Sequence, residues 1–334
     1  MKNIQICLPA AIVIISITLV ISGCNEPNGT ARSISAEKEN AVILALKFTP
    51  GDSTTYRVTT ETTRKAVWEG MDERKPTGFK GGQSGNKIEI TFNQNILSTN
   101  ENGNAVAEIT IEKLKYLTKI ADNIVLDFDS SRESDRQNSL SRLIGQRYKI
   151  EFTPFGQIKK GYNTDSIQAA FMAATAQNKL ANRLLSEDAI TQRHSIPALP
   201  AGDKTQFNIG ESWEVVKDIS YDQMGVKSFG KTYTLEDIED RNNSRIAVVR
   251  MNAIPSAKHA KELYQTQTTL SFPHDSTDTY SGRLKLDLLG GKIEEYNEKL
   301  TTEWIIIDPA SKNKERPDSI RMSETRSYSI ERID

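Results

Sequence analysis

"FTPGDSTTYRV" (48–58) and "FNIGESWEVVK" (207–217) are two versions of one phrase: an aromatic residue, a glycine turn with an acid and a serine, then the start of a strand. Three more pairs follow in the same order. "TFNQNILSTNENGNAVAEITI" (91–111) answers "TYTLEDIEDRNNSRIAVVRM" (232–251), each a hairpin around an Asn-rich turn. "LDFDSS" (126–131) answers "LSFPHDS" (270–276), and "YKIEFTPFGQIKKGYN" (148–163) answers "LKLDLLGGKIEEYN" (284–297). Four blocks in one order define an internal duplication, with halves near 44–163 and 205–334. The repeat is far longer than the roughly 20–50 residues of solenoids. The expected product is one continuous, curved antiparallel sheet built from two similar halves.

Patterning inside the blocks agrees. "YKIEF" (148–152) and "LKLDL" (284–288) alternate apolar and polar residues, and "IEITF" (88–92) nearly does. Period-two alternation gives one buried and one wet face, as in antiparallel sheet. Only "WIII" (304–307) has the unbroken apolar run of a parallel strand. Between the halves, Ile167, Ala170, Phe171, Ala174, Ala181, Leu184 and Leu185 keep helical spacing and predict an amphipathic helix over 164–192. Thr164 or Asp165 is its expected N-cap, and the helix is expected to pack on the sheet. "SIPALPAGDK" ends it with two prolines. Residues 68–86, 131–139 and 308–319 are charged or Gly-rich and are expected to be mobile connections. "IRMSETRSYSIERI" is expected to form a terminal hairpin with "TTEWIII". The fold class is α+β, mainly antiparallel β, with one duplicated domain over 41–334.

Gly51-Asp52-Ser53 raises a chemical question, because this tripeptide presents the nucleophilic serine in one class of esterases. Such a serine needs a histidine base and an orienting acid. Those esterases keep Asp-x-x-His near the C-terminus; here His194, His259 and His274 lie in no such pattern. The second copy reads Gly210-Glu211-Ser212-Trp213. A tight turn that needs glycine explains both copies. The expectation is a turn, no catalytic residue and no enzyme.

The N-terminus speaks of location. Lys2 precedes an apolar run from Ile6 to Ile21, shorter than the roughly 20 residues of a spanning helix. The run closes on "ISGC" (21–24), which resembles the lipobox of bacterial lipoproteins. That resemblance implies a signal peptide over 1–23, cleavage between Gly23 and Cys24, and a lipid on Cys24, with palmitate-type acyl chains. Cys7 leaves with the signal, so the mature chain keeps neither a free thiol nor a disulfide. Several acyl chains on one residue make a lasting anchor. Residues 24–40 are polar and aperiodic and are read as a tether of roughly 20–25 Å. Residue 25 is Asn rather than the inner-membrane retention Asp, so the outer membrane is the default in a host with two membranes.

Net charge is −1, which gives no support to nucleic acid as a partner. With 26% charged and 37% hydrophobic residues the body has the composition of an ordinary globular domain. No nucleotide-loop, metalloprotease or hydrolase-elbow motif is present. Asp127, Asp129 and Asp135, with Asp275 and Asp278 in the second half, have the chemistry of hard-cation ligands but not the spacing of a calcium loop, and are read as turn formers. No metal or cofactor is expected. Trp68, Trp213 and Trp304 are read as core, with the lining of a concave surface as the other possibility.

With the lipobox, the G-[DE]-S strand starts, the Pro-x-x-Pro break and the late "GGKI" turn together, the chain is similar to uncharacterised bacterial envelope lipoproteins carrying a domain of unknown function. The implied architecture resembles the periplasmic lipoprotein carriers, a curved sheet with a helix at its concave side. By that likeness the expected role is non-catalytic binding of an apolar ligand or lipid in a curved-sheet cavity. The alternative is a structural or assembly lipoprotein with an envelope protein as partner.

Overall fold

The computed structural model describes residues 41–333 apart from 163, 170, 172–174, 203, 222–224, 242–243, 257–273 and 308–316. The strands of the first half are β1 (Val42–Ile43), β2 (Ser53–Glu69), β3 (Gly82–Thr99), β4 (Ala105–Ile120), β5 (Asn123–Asp129), β6 (Arg147–Phe152) and β7 (Ile158–Tyr162). Three helices follow, α1 (Thr164–Ala169), α2 (Ala176–Leu184) and α3 (Glu187–His194). The second half holds β8 (Gln206–Phe207), β9 (Ser212–Ser220), β10 (Val226–Arg241), β11 (Ser244–Pro255), β12 (His274–Asp287), β13 (Lys292–Ile307) and β14 (Ser319–Arg332). One antiparallel sheet runs β7-β6-β4-β3-β2-β14-β13-β12-β11-β10-β9, with β5 on β4; β1 pairs β8 separately.

The duplication is legible down to single hydrogen bonds. Gly51 has φ 90° and Gly210 has φ 89°, a region open to glycine and costly for other residues. The Gly51 N–H donates to Ile96 O (2.8 Å), and the Ile96 N–H to Asp52 O (2.9 Å). In the second copy the Gly210 N–H donates to Leu235 O (2.7 Å), and the Leu235 N–H to Glu211 O (3.0 Å). Register then slips just beyond Ile96 in β3 and just beyond Leu235 in β10, so each copy keeps its bulge in the same place. The halves, β2-β3-β4-β6-β7 and β9-β10-β11-β12-β13, share one strand order. β14 joins them, pairing β13 on one side and β2 on the other.

Two backbone bonds report how far the sheet bends. The Leu46 N–H donates to Pro154 O (2.7 Å), in the turn after β6. The next N–H, that of Lys47, donates to Gly291 O (3.0 Å), in the turn before β13. Along the sheet β6 and β13 are five strand spacings apart, roughly 24 Å at about 4.8 Å each. Consecutive residues reach both turns, so the sheet is rolled. The second half is rolled as well: Arg326 on β14 donates to Ser220 O at the end of β9 (2.6 Å), and the Tyr221 hydroxyl meets Thr302 Oγ1 on β13 (2.8 Å). The apolar face of every long strand turns into this concavity and forms one core, from Val58, Ile90 and Tyr116 to Leu235, Val249 and Tyr296.

Three expectations need correction. The segment 164–192 is helical but not one helix. Thr175 accepts from the Asn178 N–H and starts α2, and Ser186 accepts from the Ala189 N–H and starts α3. Each hydroxyl satisfies a backbone donor that a continuous helix would bond itself, which is why Ser and Thr mark helix starts. The buried set is otherwise as spaced: Ile167, Phe171, Ala181, Leu184 and Leu185 are all buried, while Ala170, Ala174 and the side chains of Thr164 and Asp165 lie outside the described residues. The connection expected over residues 68–86 is shorter, spanning 70–81, since β2 runs to Glu69 and β3 begins at Gly82. Glycine there serves close approach rather than looseness, because a Cβ on Gly85 would lie 2.0 Å from Thr62 O. Residues 131–139 fold into short 3-10 turns held by Arg132. The terminal hairpin is present as β13–β14.

Candidate functional site

The concave face differs between the halves. In the first it is covered by the helical segment. Phe171, Leu184, Leu185 and Ile190 bury their side chains there. At the centre the Tyr148 hydroxyl accepts from Arg193 Nη1 (3.0 Å) and contacts His194 Nε2 (2.7 Å). Accepting from arginine leaves that hydroxyl its proton to donate to Nε2. Burial and the neighbouring Arg193 charge hold the imidazole well below its usual pKa, so it is neutral, and its ring packs edge-on against Phe92 (4.6 Å). Arg193 also donates to Leu184 O (2.6 Å) at the C-terminus of α2, where the helix dipole favours a cation. Tyr328 on β14 donates to Arg193 O (2.9 Å), and Arg183 donates to the Tyr116 hydroxyl (3.1 Å). The covering segment is thus held to the sheet by side-chain bonds and apolar packing.

The second half has side chains where the first has helices. Lys231, 2% exposed, sits on β10 in phase with Phe229, Tyr233 and Leu235. It reaches across β11 and β12 to Glu298 on β13 (2.5 Å). Its strand partner is Ala253, and the strand partner of Glu298 is Gly282, so small residues clear that path. One carboxylate oxygen, Glu298 Oε2, also accepts from Tyr280 (3.1 Å) and Tyr296 (2.9 Å). Burial lowers the Lys231 pKa, against the pull of Glu298, and raises those of Tyr233, Tyr280 and Tyr296. The Tyr233 hydroxyl and the stacked Trp213 Nε1 are buried without a hydrogen-bond partner among the described residues.

Toward the other end of the same face lies a second polar group, which reaches solvent. Glu324, 4% exposed, accepts from Arg64 Nε (2.5 Å) and from Arg326 Nε. The Arg326 guanidinium covers the Tyr221 ring (4.8 Å), and that ring meets Trp304 edge-on (5.0 Å). Thr302 donates to Asp278 (2.7 Å), so Tyr221 donates to Thr302, and burial pushes the Tyr221 pKa up to about 12. Lys227 completes the group on Asp278 (2.9 Å).

The residues singled out in the sequence have plain positions. Ser53 Oγ bonds Asn93 Oδ1 (3.1 Å) at the start of β2, and Ser212 bonds Thr234 across β9 and β10 (2.8 Å). No histidine bonds either serine among the described residues. The first-half acids are gathered by a cation of the chain itself: Arg132 bonds Asp127 (3.0 Å) and Asp135 (2.8 Å), while Asp129 accepts from Ser131 (2.7 Å). Asp278 pairs with Lys227, and the side chain of Asp275 lies outside the described residues. Among the described residues no group of three or more side chains could hold a metal. Trp304 is core, Trp213 is half-buried, and Trp68 donates to Met71 O (3.2 Å). Gly23, Cys24, His259 and the tether lie outside the described residues. Lys231, Glu298, Arg64, Glu324 and Arg326 were not expected. Their signal was phase: each is a charge on the inward parity of a strand whose other inward residues are mostly apolar, aromatic or threonine.

Among the described residues the surface has shallow clefts, one of about 40 Å³ and another of about 70 Å³. The first lies where the halves meet, against Leu46, Tyr56, Phe92, His194 and Ile330. Neither approaches the roughly 300 Å³ of an ordinary ligand pocket. The expected open cavity is not among the described clefts.

Residues 102–293 match a family of unknown function, DUF6263. No curated protein matches the chain. Among solved structures it is similar to a lipovitellin described for its lipid–protein interactions, at 11% identity and TM-score 0.37, over 86% of this chain. The chain spans 26% of that protein's length. It is also similar to DynF of the dynemicin biosynthesis pathway of Micromonospora chersina, at 5% identity and TM-score 0.19, over 93% and 94% of the two chains. At these scores neither likeness carries a functional argument.

Proposed function

The chain belongs to DUF6263, a family of unknown function, and from that premise we propose that it is a non-catalytic, lipid-anchored protein of the bacterial cell envelope that binds an apolar or amphiphilic ligand on the concave face of its sheet. The observation that carries the binding reading is the division of that face. A rolled sheet presents apolar side chains inward along its whole width, and in one half a separate helical segment covers them without strand pairing. A cover held by side chains can leave as a unit, whereas a strand in the ladder cannot without breaking backbone bonds. Because the clefts are small, a ligand would enter by displacing α2 and α3 and take over their apolar contacts.

The anchoring reading comes from "ISGC" (21–24) and the polar segment behind it. Cleavage before Cys24 and acylation of its thiol would tie the body to a bilayer, the outer one in a host with two membranes. No helix among the described residues is long and apolar enough to cross a membrane. Labelling cells with a clickable fatty acid tests the anchor, which requires label on the wild type and none on Cys24→Ser. Native mass spectrometry of the full chain released in mild detergent tests the binding: a reproducible adduct of lipid mass is expected, and a bare protein mass in every preparation would refute it.

A structural or assembly role through protein contacts is the second reading, favoured by the small clefts. It requires a stable partner in cells, and crosslinking that recovers none would count against it.

A further inference from the structure

We propose that the helical cover is a latch released by acid: when His194 takes up a proton at Nε2, α2 and α3 leave the sheet and the concave face of the first half opens. This rests on reading that face as a binding surface. Three of the side-chain bonds that hold the cover to the sheet end on two consecutive residues, Arg193 and His194, in the last turn of α3. Two of the three share one atom, the Tyr148 hydroxyl oxygen on β6. The group is buried: Tyr148 is 1% exposed, Arg193 5% and His194 7%.

The sharing suits one protonation state. Arg193 Nη1 donates to the Tyr148 oxygen (3.0 Å), so Tyr148 gives its own proton to His194 Nε2 (2.7 Å). Nε2 is then the bare nitrogen of a neutral ring, and the one that a proton must occupy in acid. An imidazolium has only donors. The Tyr148 proton would lose its acceptor, and a second buried cation would stand beside the Arg193 guanidinium. Among the described residues neither Arg193 nor His194 is paired with a carboxylate. β3 packs Phe92 on the ring, and β14 brings Tyr328, whose hydroxyl is engaged by Arg193 O (2.9 Å). The cleft that His194 helps to line also carries Tyr56, Lys47, Lys292 and Asp52. Of these, Lys47 donates to Leu288 O (2.7 Å), and Asp52 is 43% exposed and lies 3.8 Å from Lys292. Burial and the Arg193 charge hold the closed imidazole below its usual range, whereas a ring released into water titrates near pH 6.5. The open form thus takes up a proton that the closed form refuses. The closed form is fully favoured above about pH 6.5, and opening gains up to about tenfold for each unit below it.

Amide exchange of the full-length protein at about pH 7.5, 6.5 and 5.5, corrected for the chemical exchange rate at each pH, tests the latch. Protection of Ala176–His194 is expected to fall by up to about tenfold between the last two, while that of β10 to β13 holds. His194→Gln, which keeps an acceptor for Tyr148, is expected to remove the fall. The wild type identifies the group even if that variant fails to fold: the chain has three histidines, and one of their ring C–H signals in a proton NMR titration should move together with the opening. Binding of oleoyl lysophosphatidylcholine, a probe whose charge does not change over this range, separates the two readings. Opening in acid with tighter binding there supports both. Opening in acid with no binding at any pH keeps the latch and overturns the binding surface. Binding with cover protection equal at all three pH values overturns the latch and keeps the binding surface. A fall that persists in His194→Gln, or one that spans the whole sheet at once, also overturns the latch.

Discussion

A methyl group on Gly85 would meet Thr62 O at 2.0 Å, inside the β2–β3 ladder. Gly85→Ala must therefore push the paired strands apart, and we expect it to lower unfolding stability by roughly 2 kcal/mol or more in a denaturant titration. Ser53→Ala removes one exposed side-chain bond and should change stability by less than about 1 kcal/mol. His194 makes stability depend on pH. Burial depresses its folded pKa below the ordinary value of 6.5, so in acid the unfolded chain takes up a proton that the folded chain refuses. Stability is then full above about pH 6.5 and falls as pH drops below it, by at most about 1.4 kcal/mol per unit for one proton. Thermal melts between pH 7 and 5 should show this decline, and His194→Gln, which keeps an acceptor for Tyr148, should flatten it. At this scale the sequence was most readable where a rule is local. The two glycine turns were evident because a left-handed residue has few substitutes. The role of Gly85 was not, because it depends on a carbonyl that sequence distance conceals.

Between elements, the tie of β10 to β13 through Lys231 and Glu298 sets the packing of the second half. Removing one partner leaves a buried charge, so Lys231→Met or Glu298→Gln alone should cost about 3–5 kcal/mol by denaturation, and the pair Lys231→Met with Glu298→Leu should recover most of it. A double replacement that costs as much as the two single replacements added together would show that the charges do not act as a pair. Among the helices, Thr175→Ala and Ser186→Ala should each cost about 1 kcal/mol through lost caps. Helical spacing foretold which residues of 164–192 are buried, but not that the segment breaks twice, since a hydroxyl inside an apolar stripe can point outward or cap. Period-two alternation placed the strands. It could not place Lys231, whose burial depends on a partner three strands away.

For the whole molecule, the two halves act as one because β14 closes the seam between them and residues 46 and 47 hold distant turns together. The duplication was readable because it repeats local phrases. The roll was not, because curvature depends on contacts between regions far apart in the chain. The central claim is that the concave face opens by release of the helical cover. Hydrogen–deuterium exchange of the full chain with and without oleate tests it most directly. Amides of Ala176–His194 should lose protection on binding while those of β3, β4 and β6, which the ligand then covers, gain it. Unchanged protection in both segments at a saturating oleate concentration would contradict the account.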